Sequence, residues 1–349
     1  MKILLITGSY PPDICGVADY TAALGKYLRR AGVQVSVYSG RRWDLSNAGR
    51  IARELRASDA DILHMQYPAR GYGWNLGPQL LAVLEPLVMT IHECSQAHIL
   101  RRLSLYPFTL RAPRIIFTNE FERRYVRQFA PWIEHRSDVI PIGTNVGVAL
   151  GRTDRLRNVV TYFGLIRPQK GLEHVLEMAS YFKTRTNGLS VRIVGTVSPR
   201  DKDYYENLRH KARELPIEWV LGLDGDRLSR ALAETEVAYL PFPDGASERR
   251  SSLIAMLANR AAVITTQGLH TPPAMEQAVL LANSPTEAAT LAEELYNDPE
   301  RRAATQSSSS EYALKFSWEN IAAQHIAIYH QLFARRPEAI LSSEKGLLP

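Results

Sequence analysis

Short apolar runs, each followed by a stretch of helical periodicity, recur along this chain in two successive sets. In the first half they are Ile3 to Thr7, Val33 to Tyr38, Ile62 to Met65, Leu87 to Ile91, Ile115 to Thr118 and Val139-Ile140. In the second half they are Val159 to Phe163, Val191 to Val194, Ile217 to Val220, Val237 to Leu240, Ala262 to Thr265 and Val279 to Leu281. Several are apolar throughout, as strands buried on both faces of a parallel sheet must be. Between them, residues such as Tyr20, Leu24, Tyr27 and Leu28 fall at helical spacings of three and four. This alternation predicts an α/β fold with two doubly wound, Rossmann-like domains. A length of 349 residues suits two cores better than one. The expected division is 1–150 and 151–316, across an aperiodic segment from Gly147 to Arg155. Ser317 is the expected N-cap of an amphipathic helix over 317–335, and 336–349 reads as a polar tail.

The net charge of +6 fits acidic ligands, whether sugar nucleotide, nucleic acid or anionic lipid, without choosing among them. A compact basic–aromatic motif is missing, so nucleic acid is not an expected partner. Cys15 and Cys94 have neither the number nor the spacing of a disulfide framework or zinc site, which points to a reducing compartment. With no signal-peptide pattern and no apolar run near the ~18 residues of a spanning helix, the expected location is cytoplasmic, extending to the inner face of the membrane.

In a doubly wound sheet, ligands gather at the carboxyl ends of the strands, and several polar clusters follow apolar runs here. From Tyr162 to Gly171, an apolar run ends in Gly164 and a short basic loop leads to a helical pattern starting near Leu172. Glycine lets backbone approach an anion, and Arg167 and Lys170 can neutralise it. A second anion site is expected where Arg249, Arg250, Ser251 and Ser252 open a helix. The plain alternative there is a solvated basic helix start with a serine cap. The loop from Gly8 to Tyr20 brings Gly16 to another helix start, although Gly8 and Gly16 are too far apart for a dinucleotide fingerprint. His92, next to Glu93, ends the run Leu87 to Ile91 and can bind a polar ligand, assist proton transfer or be structural. His64, inside a strand pattern, reads as core. The triplets Asp59-Ala60-Asp61, Asp201-Lys202-Asp203 and Asp224-Gly225-Asp226 read as structural, so no metal site is expected. Between His98 and Arg114, arginines interleave with apolar residues, either as a surface for anionic lipid or as a core helix with a basic outer face.

Taken in order, these elements resemble family 4 of the glycosyltransferases, retaining enzymes whose two Rossmann-like domains face each other across a cleft (the GT-B fold). The resemblance spans about residues 1 to 335. It is carried by the Gly16 loop, the His92 strand end, the Pro141-Ile142-Gly143-Thr144-Asn145 turn, the Gly164 to Gly171 segment, the Ser247 to Thr266 region and the Ser317-Trp318 helix. It implies a nucleoside-diphosphate-sugar donor on the C-terminal domain and a glycan or lipid-linked acceptor on the N-terminal domain, with the last helix crossing back to that domain. No cofactor or metal is implied, and peripheral contact with an anionic membrane is an expectation that rests on the lipid reading of the His98 to Arg114 segment. By position, His92, Lys170 and Arg167 become the catalytic candidates. Gly16, Val17, Gly164, Lys170, Glu248, Arg249, Arg250, Ser251 and Ser252 become donor-binding candidates, with Asp19 and Tyr20 on the acceptor side. The departures are specific. Leu165 stands where the family has an arginine, and Arg167 is its nearest substitute. The two family glutamates fall on Ser247 and Ala255, with Glu248 one residue out of register, and Arg260 and Ala262 replace the usual glycine and proline. A sugar-nucleotide-binding protein without transferase activity is a competing reading. So is an epimerase of the same architecture, which would need a carboxylate acid/base set that is not evident.

Overall fold

Every apolar run of the sequence overlaps a strand in the computed structural model, which describes residues 1–13, 15–95, 102–144, 146–149, 154–185 and 188–334. The chain separates into two units, one of Met1–Gly143 with the segment from Ser317 onward, the other of Thr144–Phe316.

In the first unit, β1 (Lys2–Ile6), β2 (Gln34–Tyr38), β3 (Ile62–Tyr67), β4 (Val88–Ile91), β5 (Ile115–Phe117) and β6 (Ser137–Val139) form one parallel sheet. Its order is β2-β1-β3-β4-β5-β6. The connecting helices are α1 (Gly16–Arg30), α2 (Leu45–Arg56), α3 (Gly77–Leu84), α4 (Tyr106–Arg111) and α5 (Glu120–Arg127). Capping starts two of them: Asp44 accepts from the Asn47 N–H at 3.1 Å, and Asn119 from the Glu122 N–H at 2.9 Å. Helices α2 to α5 pack on one face of the sheet, through residues such as Ile51, Leu81, Phe108 and Val126 against Met65, Met89 and Ile91.

The second unit repeats the plan with β7 (Leu156–Ile166), β8 (Ser190–Val197), β9 (Ile217–Leu221), β10 (Thr235–Leu240), β11 (Ala262–Thr265) and β12 (Leu280–Leu281). All pairings are again parallel, in the order β12-β11-β10-β7-β8-β9. Its helices are α6 (Leu172–Arg185), α7 (Lys202–Lys211), α8 (Gly225–Ala233), α9 (Ser251–Ala258), α10 (Pro273–Glu276), α11 (Pro285–Asn297) and α12 (Pro299–Ala313). Ile193, Val237, Leu257 and Ile264 are fully buried between these layers. Each such side chain contributes about 1.5–3 kcal/mol relative to exposure.

The closing helix α13 (Trp318–Ala334) belongs to the first unit. Ser317 Oγ accepts from the Asn320 N–H at 3.2 Å, so the serine caps the helix as expected. Trp318, Ile321, His325 and Tyr329, spaced by three and four, are buried against α1 and the second face of the sheet. Trp318 meets Tyr20 at 5.3 Å and Tyr27 at 6.1 Å between ring centroids.

Two of the three aspartate triplets have side chains with structural partners. Asp59 and Asp61 hold the side chain and backbone N–H of Lys2 at the amino end of the sheet. Asp201 and Asp224 sit at the N-cap positions of α7 and α8, and Asp224 pairs with Arg227 at 3.1 Å. In the basic segment, residues 96–101 lie outside the described residues. Over the rest, Phe108 is core while Leu103 and Leu110 are exposed. Among the described residues no helix is long and apolar enough to cross a membrane.

Candidate functional site

Counted from β7, the second sheet has the order 3-2-1-4-5-6, so successive connections leave in opposite directions at β7 and β10. Such a switch point opens a crevice at the carboxyl ends of the two strands. A cavity of about 380 Å³ lies there. Gly164, Leu165 and Lys170 line it from the β7 side, Gly195 and Thr196 from the end of β8, and Phe242, Arg249, Arg250, Ser251 and Ser252 from the segment after β10. Val146, Leu223 and Leu228 add apolar wall.

The sequence reading needs one correction here. Gly164 is not a turn residue; β7 runs on to Ile166, and Gly164 pairs with Gly195 of β8. The pair is steric in origin, because a Cβ on Gly195 would stand 2.2 Å from the Gly164 carbonyl oxygen. The turn comes later, with φ 62° at Gln169 and 74° at Gly171 bracketing Lys170. At Gly171 a side chain is excluded twice, by its left-handed backbone and by Pro241 O, 1.8 Å from where a Cβ would sit. Tyr162 Oη lies 3.4 Å from Leu165 O and 3.3 Å from Lys170 O, holding both ends of the loop.

Partial burial, then the neighbouring Arg167 and Arg250, lower the Lys170 pKa from its usual value, with Asp244 acting in the opposite sense. Arg250 occupies the N-cap position of α9. Its guanidinium lies 5.0 Å over the Phe242 ring and pairs with Asp244, while its Nε is sealed from solvent without a partner. Ser251 and Ser252 form the first turn of α9, whose leading N–H groups have no acceptor within the helix. The structure therefore gathers Gly164, Lys170, Arg249, Arg250, Ser251 and Ser252 around one cavity. Arg167 lies outside it, in an adjoining hollow shared with Lys170, Asp244 and Arg250. Glu248, expected at the donor, points elsewhere: its Oε1 takes hydrogen bonds from Tyr312 Oη at 2.8 Å and Lys315 Nζ at 2.6 Å. That pairing satisfies the carboxylate within its own unit. Among the described residues no carboxylate lines the main cavity. Thr196 and Phe242 were not foreseen; the signal was that strands paired with β7 must end beside it.

In the first unit the direction changes between β1 and β3. Ser9 Oγ, after β1, accepts from the Gly71 N–H, after β3, at 2.8 Å. Gly16 is the exposed first residue of α1, with open space where a Cβ would project. Val17 is half-buried and Asp19 exposed on the same turn. His92 directly follows β4, with a relative exposure of 9%. Its N–H donates to Tyr67 O at 2.9 Å, its carbonyl accepts from Thr118 Oγ1 at 2.8 Å, and its Nε2 lies 3.1 Å from Gln66 Oε1. Burial, reinforced by His325, holds the His92 pKa down to about 3, so the ring is neutral at pH 7. Tyr20, expected on the acceptor side, is 2% exposed; its ring meets the His92 ring edge-on at 4.6 Å. It supports the histidine rather than reaching a ligand. His64 is fully buried, as a core residue should be.

Among the described residues no three His, Cys, Asp or Glu side chains come together as a metal-binding group.

Residues 14–148 match Glycosyltransferase Family 4. No curated protein matches the sequence. Among solved structures, a glycosyltransferase from Rickettsia africae is 14% identical with a TM-score of 0.71, over 96% of this chain and 99% of that one. Sucrose-phosphate synthase from Thermosynechococcus elongatus is 19% identical with a TM-score of 0.64, over 96% and 99%. HepE from Anabaena, solved in complex with UDP and glucose, is 14% identical with a TM-score of 0.63, over 95% and 100%. These likenesses agree with the two parallel six-stranded sheets described above. They give the chain the GT-B fold, and residues 14–148 are similar to Glycosyltransferase Family 4.

Proposed function

We propose that this protein transfers a hexosyl unit, with retention, from a nucleoside-diphosphate sugar to an acceptor hydroxyl in polysaccharide or glycolipid assembly. The observation that carries this reading is the cationic cavity at the β7/β10 switch point, where Lys170, Arg249, Arg250 and the start of α9 converge. Cleaving the glycosyl bond leaves negative charge on the departing diphosphate as the sugar gains oxocarbenium character. Lys170 and Arg250 are preorganised for that charge, Lys170 by its turn and Arg250 by its place over Phe242. Side-chain cations and helix-start N–H groups then supply the counter-charge without a divalent metal. In front-face displacement the leaving oxygen helps to deprotonate the acceptor, so no protein nucleophile is required. The acceptor, a glycan or a lipid-linked sugar, belongs at the strand ends of the N-terminal unit near Gly16 and Asp19.

A panel of UDP-, GDP- and ADP-sugars, with nucleoside diphosphate release and product anomer followed in the presence of EDTA, tests the reading. The expected result is turnover of one donor class, an anomer matching the donor, and loss of turnover in Lys170→Ala. Nucleotide binding without sugar release from any donor would establish the non-catalytic binder instead. Interconversion of free donor sugars with no acceptor present would establish an epimerase.

A further inference from the structure

The face of the first sheet that packs on α1 and α13 carries a line of buried polar side chains leading to His92. Ile62, His64 and Gln66 share this face of β3, and Thr90 stands beside Gln66 on β4. His64, Gln66 and Thr90 have no exposed surface. Gln66 Oε1 is 3.1 Å from His92 Nε2, and Gln66 Nε2 is 3.2 Å from His64 Nε2. His64 Nδ1 is 2.6 Å from Tyr329 Oη, and Thr90 Oγ1 is 2.7 Å from His64 Nε2.

The chemistry of the amide gives this line a direction. An amide oxygen only accepts and an amide nitrogen only donates. With the Gln66 amide in this orientation, His92 carries its proton on Nε2 and donates to Gln66. Gln66 in turn donates to the lone pair on His64 Nε2, so His64 carries its proton on Nδ1 and donates to Tyr329. The Thr90 hydroxyl turns to the same His64 lone pair. A parallel pair is fixed by the backbone: His325 Nδ1 lies 2.8 Å from Ile321 O, which can only accept, leaving Nε2 to receive the Tyr20 hydroxyl at 3.5 Å. The titratable groups around His92 are thus Tyr20 of α1, His64 of β3, and His325 and Tyr329 of α13. Burial keeps both of these histidines neutral and both tyrosines protonated.

We infer that Gln66 is a positioning residue that sets His92 as the Nε2–H tautomer, leaving its Nδ1 lone pair to accept a hydrogen bond from a sugar hydroxyl. The ligand class follows from the lone pair. A neutral hydroxyl is accepted there, whereas a carboxylate or phosphate would be repelled and left without a donor. Tyr329 anchors the far end of the line, which couples helix α13 to the orientation of His92. The transferase reading is used only to name the ligand as a sugar, and the hydroxyl can come from donor or acceptor.

The tautomer is measured directly by nitrogen-15 NMR of the full chain with labelled histidine, using His92→Gln to assign the signal. A neutral ring at pH 7 with its proton on Nε2 is expected; a proton on Nδ1, or an imidazolium, overturns the inference. In Gln66→Leu, kcat/KM should fall by as much as about 100-fold while nucleoside diphosphate affinity is unchanged. A rise in donor KM or in acceptor KM identifies the source of the hydroxyl. In Gln66→Glu the carboxylate still accepts from Nε2–H but raises the His92 pKa. Activity should then fall as pH drops through that raised value, an acid limb the unmodified protein lacks. A folded Gln66→Leu with unchanged turnover and tautomer would sink the proposal. If Gln66→Leu does not fold, Gln66→Met fills the same volume and serves in its place. If no donor is consumed, the transferase reading fails while the tautomer measurement still decides the role of Gln66.

Discussion

The two units make the same topological provision and fill it differently, one with cations and the other with an uncharged histidine. In the C-terminal unit, Lys170, Arg249 and Arg250 surround the switch-point cavity and no described carboxylate lines it. At the strand ends of the N-terminal unit, His92 is buried and uncharged, its Nε2 held by a neutral amide. A parallel sheet that changes winding direction leaves a crevice whatever its sequence. What the crevice can hold is decided by the loops that follow the strands. One unit concentrates cations around its cavity, and the other holds an uncharged imidazole against a neutral amide.

The largest test of this contrast is Lys170→Ala. It removes a cation aimed at developing charge, a loss on the order of 3–4 kcal/mol, or about 100-fold to 1,000-fold in kcat. Nucleoside diphosphate affinity, read by calorimetry, should fall as well. Unchanged affinity and rate would mean that the basic cavity is not the anion site.

Acid should separate the units next. The buried histidines among the described residues, His64, His92 and His325, all lie in the N-terminal unit. Their folded pKa values lie below the ordinary 6.5, His92 at about 3 and His325 at about 4. Below pH 6.5 the unfolded chain therefore takes up protons that the folded unit refuses. The stability they contribute is full above pH 6.5 and is lost as pH falls toward 3, at roughly 1.4 kcal/mol per pH unit for each histidine. Variants retaining only Trp318 or only Trp219 report the two units by fluorescence. The Trp318 transition should move to lower denaturant on acidification well ahead of the Trp219 transition, and equal shifts would break the comparison.

Tyr329→Phe is a smaller probe of the same line. It leaves the His64 Nδ1–H buried without an acceptor, at a cost of about 1–3 kcal/mol. Thermal unfolding of the N-terminal unit should shift down accordingly. An unchanged midpoint would mean that His64 has another partner.

How much of this was legible in the sequence follows from the range of each interaction. Parallel strands buried on both faces must be apolar, so runs such as Ile115 to Thr118 announced themselves. The basic loop at Lys170 and the helix start at Arg250 were legible because charge and glycine follow apolar runs there. Gly164 was misread because an isolated glycine signals a turn, and its real constraint is Gly195 on the neighbouring strand. Tyr20 was recognised as helical, but periodicity does not say what its buried face meets. The partners of Glu248 lie 64 and 67 residues away, and Tyr329 lies 265 residues from His64. Such pairings are decided by packing, which no local pattern records.

The smallest expected effect concerns Asp244, a carboxylate beside Lys170 and Arg250 in the C-terminal unit. It pairs with Arg250 and opposes the charge around Lys170, yet its side chain is 71% exposed. An exposed pair of this kind is largely screened and easily exchanged for a ligand phosphate. Asp244→Asn keeps the shape and removes the competing charge. Nucleoside diphosphate affinity should therefore rise about twofold to fivefold at low ionic strength. The gain should shrink as salt is added, because the effect is electrostatic and near the surface. A fall in affinity would reverse the assignment: Asp244 would then be holding Arg250 in its binding orientation, and the C-terminal site would depend on a fixed partner much as His92 does on Gln66.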